Sequence, residues 1–92
     1  MVTFSVYILR SDKTHHYYIG SCESVYHRLA IHNAGSVRST KAGIPWKLIC
    51  TERFVSRSEA VQRERKIKSY KGGVLFKRLI GLWKDGLHGE VA

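Results

Sequence analysis

The sequence predicts an α+β fold, a small three-stranded antiparallel sheet flanked by helices, and three observations carry the prediction. Three stretches rich in β-branched and aromatic residues read as strands, and three others repeat apolar residues at helical spacing. Ninety-two residues, 43% hydrophobic and with a single proline, suit one domain built on one thin core.

The first strand is Thr3 to Arg10, with Phe4, Val6 and Ile8 on one face and Ser5, Tyr7 and Leu9 on the other. A polar turn, Ser11-Asp12-Lys13-Thr14, leads to a second strand over His15 to Gly20, so the pair is expected as an antiparallel hairpin with Tyr7 and Tyr18 on the same side. Ser24 is a candidate N-cap for a helix that buries Val25, Leu29 and either Ile31 or His32 and stops at Asn33-Ala34-Gly35. Four positions separate Arg28 from His32, which places both on one helix face.

Ser36 to Pro45 is small, polar and basic, and reads either as an exposed loop touching phosphates or as an ordinary connector. Trp46 to Phe54 resumes strand character. Ser56-Arg57-Ser58-Glu59 matches a capping box, so a second helix is expected to about Ser69. Gly72-Gly73 breaks the pattern. Leu75, Phe76, Leu79, Leu82 and Trp83 then define a closing helix over the remaining core, within residues 72–86, and Gly86 to Ala92 reads as a frayed end.

Sixteen lysines and arginines against seven acidic residues give a formal charge of +9. Basic residues are scattered among tyrosines instead of gathering in a polybasic tail, which favours nucleic acid over a membrane surface as the anionic partner. Arg38, Lys41, Arg57, Arg63, Lys66 and Lys68 are the candidate phosphate contacts. Cys22 and Cys50 form no C-x-x-C pattern and read as reduced thiols. The start of the chain lacks the basic and apolar regions of a signal peptide, and no apolar run has the length of a membrane span, so a cytoplasmic location is expected. His15, His16, His27 and His88 have no zinc-ligand spacing with Cys22.

On the second helix the inward stripe is Ala60, Val61, Glu64 and Ile67. A carboxylate there carries a large desolvation cost unless a cation or metal compensates it. Either it does so at a site, or the helix is slightly rotated and Glu64 pairs at the rim with Arg28, Arg65 or Lys68.

With these residues in view, the chain resembles the small single-domain members of the GIY-YIG endonuclease superfamily. Ser5-Val6-Tyr7 stands where the first tripeptide of that family falls, with serine for glycine and valine for isoleucine, and Tyr18-Ile19-Gly20 matches the second in full. Arg28 and His32 match the arginine of the first helix and the residue one turn beyond it. The run Ser58-Glu59-Ala60-Val61-Gln62-Arg63-Glu64 puts the family's metal-binding glutamate at Glu64. The resemblance covers about residues 4–68 and treats the chain as one nuclease domain.

It implies a divalent-metal-dependent endonuclease acting on DNA, with Glu64 holding one Mg²⁺ or Mn²⁺, Arg28 clamping a phosphate, and Tyr7, Tyr18 and His32 handling the water and phosphate. Both Tyr7 and His32 are candidates for the general base, the resemblance favouring Tyr7. Structure-selective action in repair or recombination, with a protein partner supplying specificity, is the associated expectation. The alternatives are a binding module that keeps the fold without cleaving, and a nuclease directed at RNA. The catalytic reading requires Glu64 to share a side of the sheet with Tyr7, Tyr18 and Arg28.

Overall fold

The computed structural model describes residues 2–84. Its elements are β1 (Phe4–Ser11), β2 (Tyr17–Cys22), α1 (Val25–Asn33), a 3-10 helix (Arg38–Gly43), β3 (Trp46–Phe54), α2 (Arg57–Ser69) and α3 (Val74–Lys84). The strands form an antiparallel sheet in the order β2-β1-β3, so β1 is central and β2 is an edge. This is the α+β architecture expected from the sequence. The expected tail, including His88, lies outside the described residues, as does the side chain of Trp83.

Alternation along β1 divides the core in two. Val6 and Ile8 pack with Cys50, Ala60, Ile67 and Phe76 under α2 and α3. Tyr7 and Leu9 pack with Cys22 and Trp46, and with Val25 and Leu29 of α1. Both helix starts are capped as their sequences indicate: Ser24 accepts from the His27 amide at 3.3 Å, and Ser56 accepts from the Glu59 amide at 3.2 Å.

Three expectations change. The second strand begins at Tyr17, two residues late, and runs on through Ser21 and Cys22. The cause is the turn, where the Ser11 hydroxyl accepts from the amides of Lys13 and Thr14 and His15 takes a left-handed conformation, φ 65°. The stretch expected as an exposed loop or an ordinary connector contains a 3-10 helix with Thr40 and Gly43 buried. On α3, Phe76 is buried and Leu79 packs with Ile80 against the core, but Leu75 and Leu82 are exposed.

Among the described residues no helix is long and apolar enough to cross a membrane.

Candidate active site

Tyr7 lies directly across the ladder from Gly20. A Cβ on Gly20 would stand 2.6 Å from the Tyr7 hydroxyl oxygen and 2.7 Å from Cζ, so the phenol lies over the bare backbone of β2 and reaches the open edge of the sheet. Glycine is needed here for close approach, not for its backbone angles. Gly20→Ala is expected to displace the ring and lower stability by about 1–3 kcal/mol, the usual range for overpacking. Urea unfolding gives the second quantity, and loss of ring-to-ring nuclear Overhauser contacts between Tyr7 and His32 reports the first.

The helix α1 brings its candidate side chains to the same face. His32 is buried, with Nε2 3.3 Å from the Tyr7 hydroxyl and Nδ1 2.8 Å from the Thr40 hydroxyl. The Tyr18 ring stands 4.7 Å from the imidazole and 6.2 Å from the Tyr7 ring, centroid to centroid. Arg28, one turn before His32, is exposed, and its charge acts on Tyr7, Cys22 and His32.

These surroundings set the protonation states. Burial, then the neighbouring Tyr18 and Cys22, push the Tyr7 phenol well above its ordinary value; Arg28 pulls against them and Glu64 adds to the rise. Burial and the Arg28 cation hold the His32 imidazole below its usual range, so it is neutral at physiological pH. The pair therefore consists of a protonated phenol beside a neutral imidazole.

Glu64 arrives from the other face, which corrects the expectation that it shares a side with the tyrosines. Ser21 lies opposite Val6 and so points to the α2 side, where its hydroxyl donates to Glu64 Oε1 at 2.6 Å. Lys68 donates to Oε2 at 2.7 Å. The rim pairing with Lys68 is thus present, and Glu64 is half-buried with Val61, while Ala60 and Ile67 form the buried stripe. Burial raises the Glu64 carboxyl, but the bonds from Lys68 and Ser21 and the charges of Lys68 and Arg65 outweigh it, leaving the group ionised and below its ordinary value. Ser21 adjoins Gly20 on the edge strand, so the two groups of side chains meet around that edge, and the charge of Glu64 is felt at the Tyr7 phenol.

The basic residues divide differently. Arg38 and Lys41 are exposed on the 3-10 helix, which packs against α1, and Lys66 is exposed on α2. Arg57 is exposed, 3.5 Å from Glu23 and stacked over Phe4. Arg63 makes a two-pronged pair with Glu52 at 2.7 and 3.1 Å, half-buried between α2 and β3, and so joins helix to sheet instead of presenting a free cation.

Sequence reasoning missed Ser21, Cys22 and Thr40 as neighbours of the site. The first two follow from continuing β2 beyond Gly20 to Cys22, two residues before the Ser24 cap. Thr40 is one hydroxyl in a polar stretch and has no sequence signal.

Known proteins resemble this chain over most of its length. The GIY-YIG catalytic domain family matches residues 3–73. A UPF0213 protein of Natronomonas pharaonis is 44% identical over 66 residues, 70% of this chain and 75% of that protein. One from Staphylococcus haemolyticus is 39% identical over 71 residues, 76% and 85% of the two chains. One from Streptococcus pneumoniae is 43% identical over 56 residues, 60% of this chain and 57% of that protein's length. A hairpin carrying both tyrosines, a first helix carrying Arg28 and His32, and a family match that spans them lead to one conclusion: the chain belongs to the GIY-YIG family, whose catalytic domain is of nuclease type.

Proposed function

We propose that this chain is a divalent-metal-dependent endonuclease that hydrolyses phosphodiester bonds in DNA. The shared side of the sheet that the sequence reading required is not present; what carries the reading in its place is the meeting, around one edge strand, of a phenol–imidazole pair, a guanidinium and an ionised carboxylate whose charge is felt at the phenol. Phosphodiester hydrolysis needs those chemistries together: a proton acceptor for water, a cation for the phosphate, and an anionic anchor for a metal.

Glu64 suits one Mg²⁺ or Mn²⁺. It is a charged, partly exposed oxygen donor, and among the described residues no three His, Cys, Asp or Glu side chains gather into a cage. A lone carboxylate fits an ion that keeps several waters and takes the rest of its ligands from phosphate. Lys68, on Oε2, is 54% exposed and free to swing toward solvent or a phosphate. When bound, the ion supplies charge neutralisation at the phosphate and acidifies water.

The chain's own residues do the rest. Arg28 holds a non-bridging phosphate oxygen with its planar fork. Tyr7, protonated at rest, orients the attacking water and accepts its proton as its own proton passes to His32 Nε2. Tyr18 packs beside that imidazole. Arg38, Lys41, Arg57, Lys66 and Lys68 draw in the polyanion from both sides of the edge. The work of such an enzyme in repair or recombination, in the cytoplasm and with a partner supplying specificity, belongs to the same proposal.

Purified protein incubated with supercoiled, branched and single-stranded DNA, and with RNA, tests the reading. Cutting of DNA is expected with Mg²⁺ or Mn²⁺, loss of cutting with a chelator, and recovery on returning the ion. Retention of all substrates without cutting any would identify a binding module instead, and cutting confined to RNA would reassign the substrate.

A further inference from the structure

We propose that Thr40 is a positioning residue of this site: its hydroxyl fixes His32 as the Nδ1–H tautomer and leaves Nε2 free to accept the Tyr7 proton. The available protons decide the tautomer. The Thr40 hydroxyl lies 2.8 Å from His32 Nδ1 and 3.3 Å from the Val37 carbonyl oxygen. A carbonyl can only accept, and threonine has a single hydroxyl proton. Both contacts are satisfied together only when Thr40 donates to Val37 and Nδ1–H of His32 donates to Thr40.

The other ring nitrogen then carries a lone pair. It faces the Tyr7 hydroxyl at 3.3 Å, so the phenol is the donor. The result is a directed chain, from Tyr7 O–H to Nε2, from Nδ1–H to Thr40, and from the Thr40 hydroxyl to the Val37 carbonyl. A proton leaving Tyr7 has one place to go, Nε2, and its arrival makes an imidazolium still held at Nδ1. His32 and Thr40 are buried, at 1 and 2% exposure, so water does not compete for the bond at Nδ1.

Thr40 is itself held firmly. The Trp46 indole N–H donates to the Thr40 carbonyl at 2.8 Å. Asn33 grips the Trp46 backbone in both directions, accepting from its amide at 2.7 Å and donating to its carbonyl at 3.0 Å. The Ser11 hydroxyl donates to the carbonyl of Gly43 at the end of the same 3-10 helix. A Cβ on Gly43 would come within 2.5 Å of the Trp46 ring, so the indole closes over this turn. The stretch between α1 and β3 is thus a rigid mount for one hydroxyl. Tyr7, Tyr18 and Arg28 also face His32; the Tyr7 hydroxyl meets Nε2, and the partner at Nδ1 is Thr40.

The tautomer assignment stands on these contacts; its catalytic consequence rests on the nuclease reading. Nitrogen-15 spectra of the imidazole in the full chain separate the two. In wild type at neutral pH, Nδ1 is expected to carry the proton and Nε2 to have the shift of an unprotonated acceptor. Thr40→Val, which keeps the shape and removes the hydroxyl, is expected to move the proton to Nε2, and Thr40→Ser to return it to Nδ1. A wild-type His32 protonated on Nε2 overturns the proposal whether or not any variant folds, and so does a folded Thr40→Val protein that retains Nδ1–H. The spectra decide the assignment independently of cleavage, which bears on the nuclease reading alone.

Discussion

Glu64→Gln is expected to reduce cleavage by about 10³-fold, the upper range for removing one preorganised electrostatic group from a reacting site. The amide oxygen still accepts from Ser21, so the side chain keeps its place at the sheet edge while its charge is lost. Stability is expected to change by less than about 1 kcal/mol, because the pair given up with Lys68 is largely exposed and worth little. Single-turnover cleavage and urea unfolding of the same preparation separate these effects. A folded variant that cleaves within a factor of ten of wild type would remove Glu64 from the chemistry.

The second large effect is expected from Tyr7→Phe. Phenylalanine keeps the ring over Gly20 and deletes only the oxygen, so the sheet is preserved while His32 Nε2 loses its partner. Cleavage is expected to fall by about 10²- to 10⁴-fold, the contribution of a positioned acid–base group. The unpartnered buried nitrogen costs about 1–3 kcal/mol of stability.

The wild-type pH profile carries a related signature. His32 must be neutral to accept a proton, and its folded value is held down by burial and Arg28. Activity is therefore present through the ordinary histidine range and lost only on acidification below it. An acid limb at or above the usual histidine value would show that another group controls the rate.

The sheet, both capped helices and the order of strands and helices were legible because they rest on local signals: alternation, spacing and a serine at each cap. The shared side of Tyr7 and Tyr18 was legible for the same reason, since period two fixes it, whereas period 3.6 left open whether Ile31 or His32 turns inward. Glu64 marks where that logic stops. Its position on the inward stripe of α2 was readable, but which side of the sheet α2 covers is a property of the tertiary packing. In the fold α2 lies over Val6 and Ile8, so Glu64 meets Tyr7 around the edge strand and not across a common face.

Arg63 and Thr40 were illegible for a different reason. A guanidinium on α2 reads as one of several surface cations until Glu52 is seen beside it. A threonine in a polar connector reads as solvent-facing until Trp46, Asn33 and Ser11 are seen to pin that connector to the sheet. Both depend on partners distant in sequence, and no periodicity encodes those.

In the proposed mechanism one phosphate is handled from both faces of the sheet, by Arg28 and Tyr7 from the α1 side and by Glu64 from the α2 side. A crystal structure of the Tyr7→Phe protein with Mn²⁺ and a DNA substrate, with the ion located by its anomalous scattering, tests it most directly. The expected result is an ion bonded to Glu64 and to a phosphate oxygen, with the Arg28 guanidinium on that same phosphate. An ion at Glu64 whose phosphate is out of reach of Arg28, or a phosphate held by Arg28 with no ion at Glu64, would contradict it.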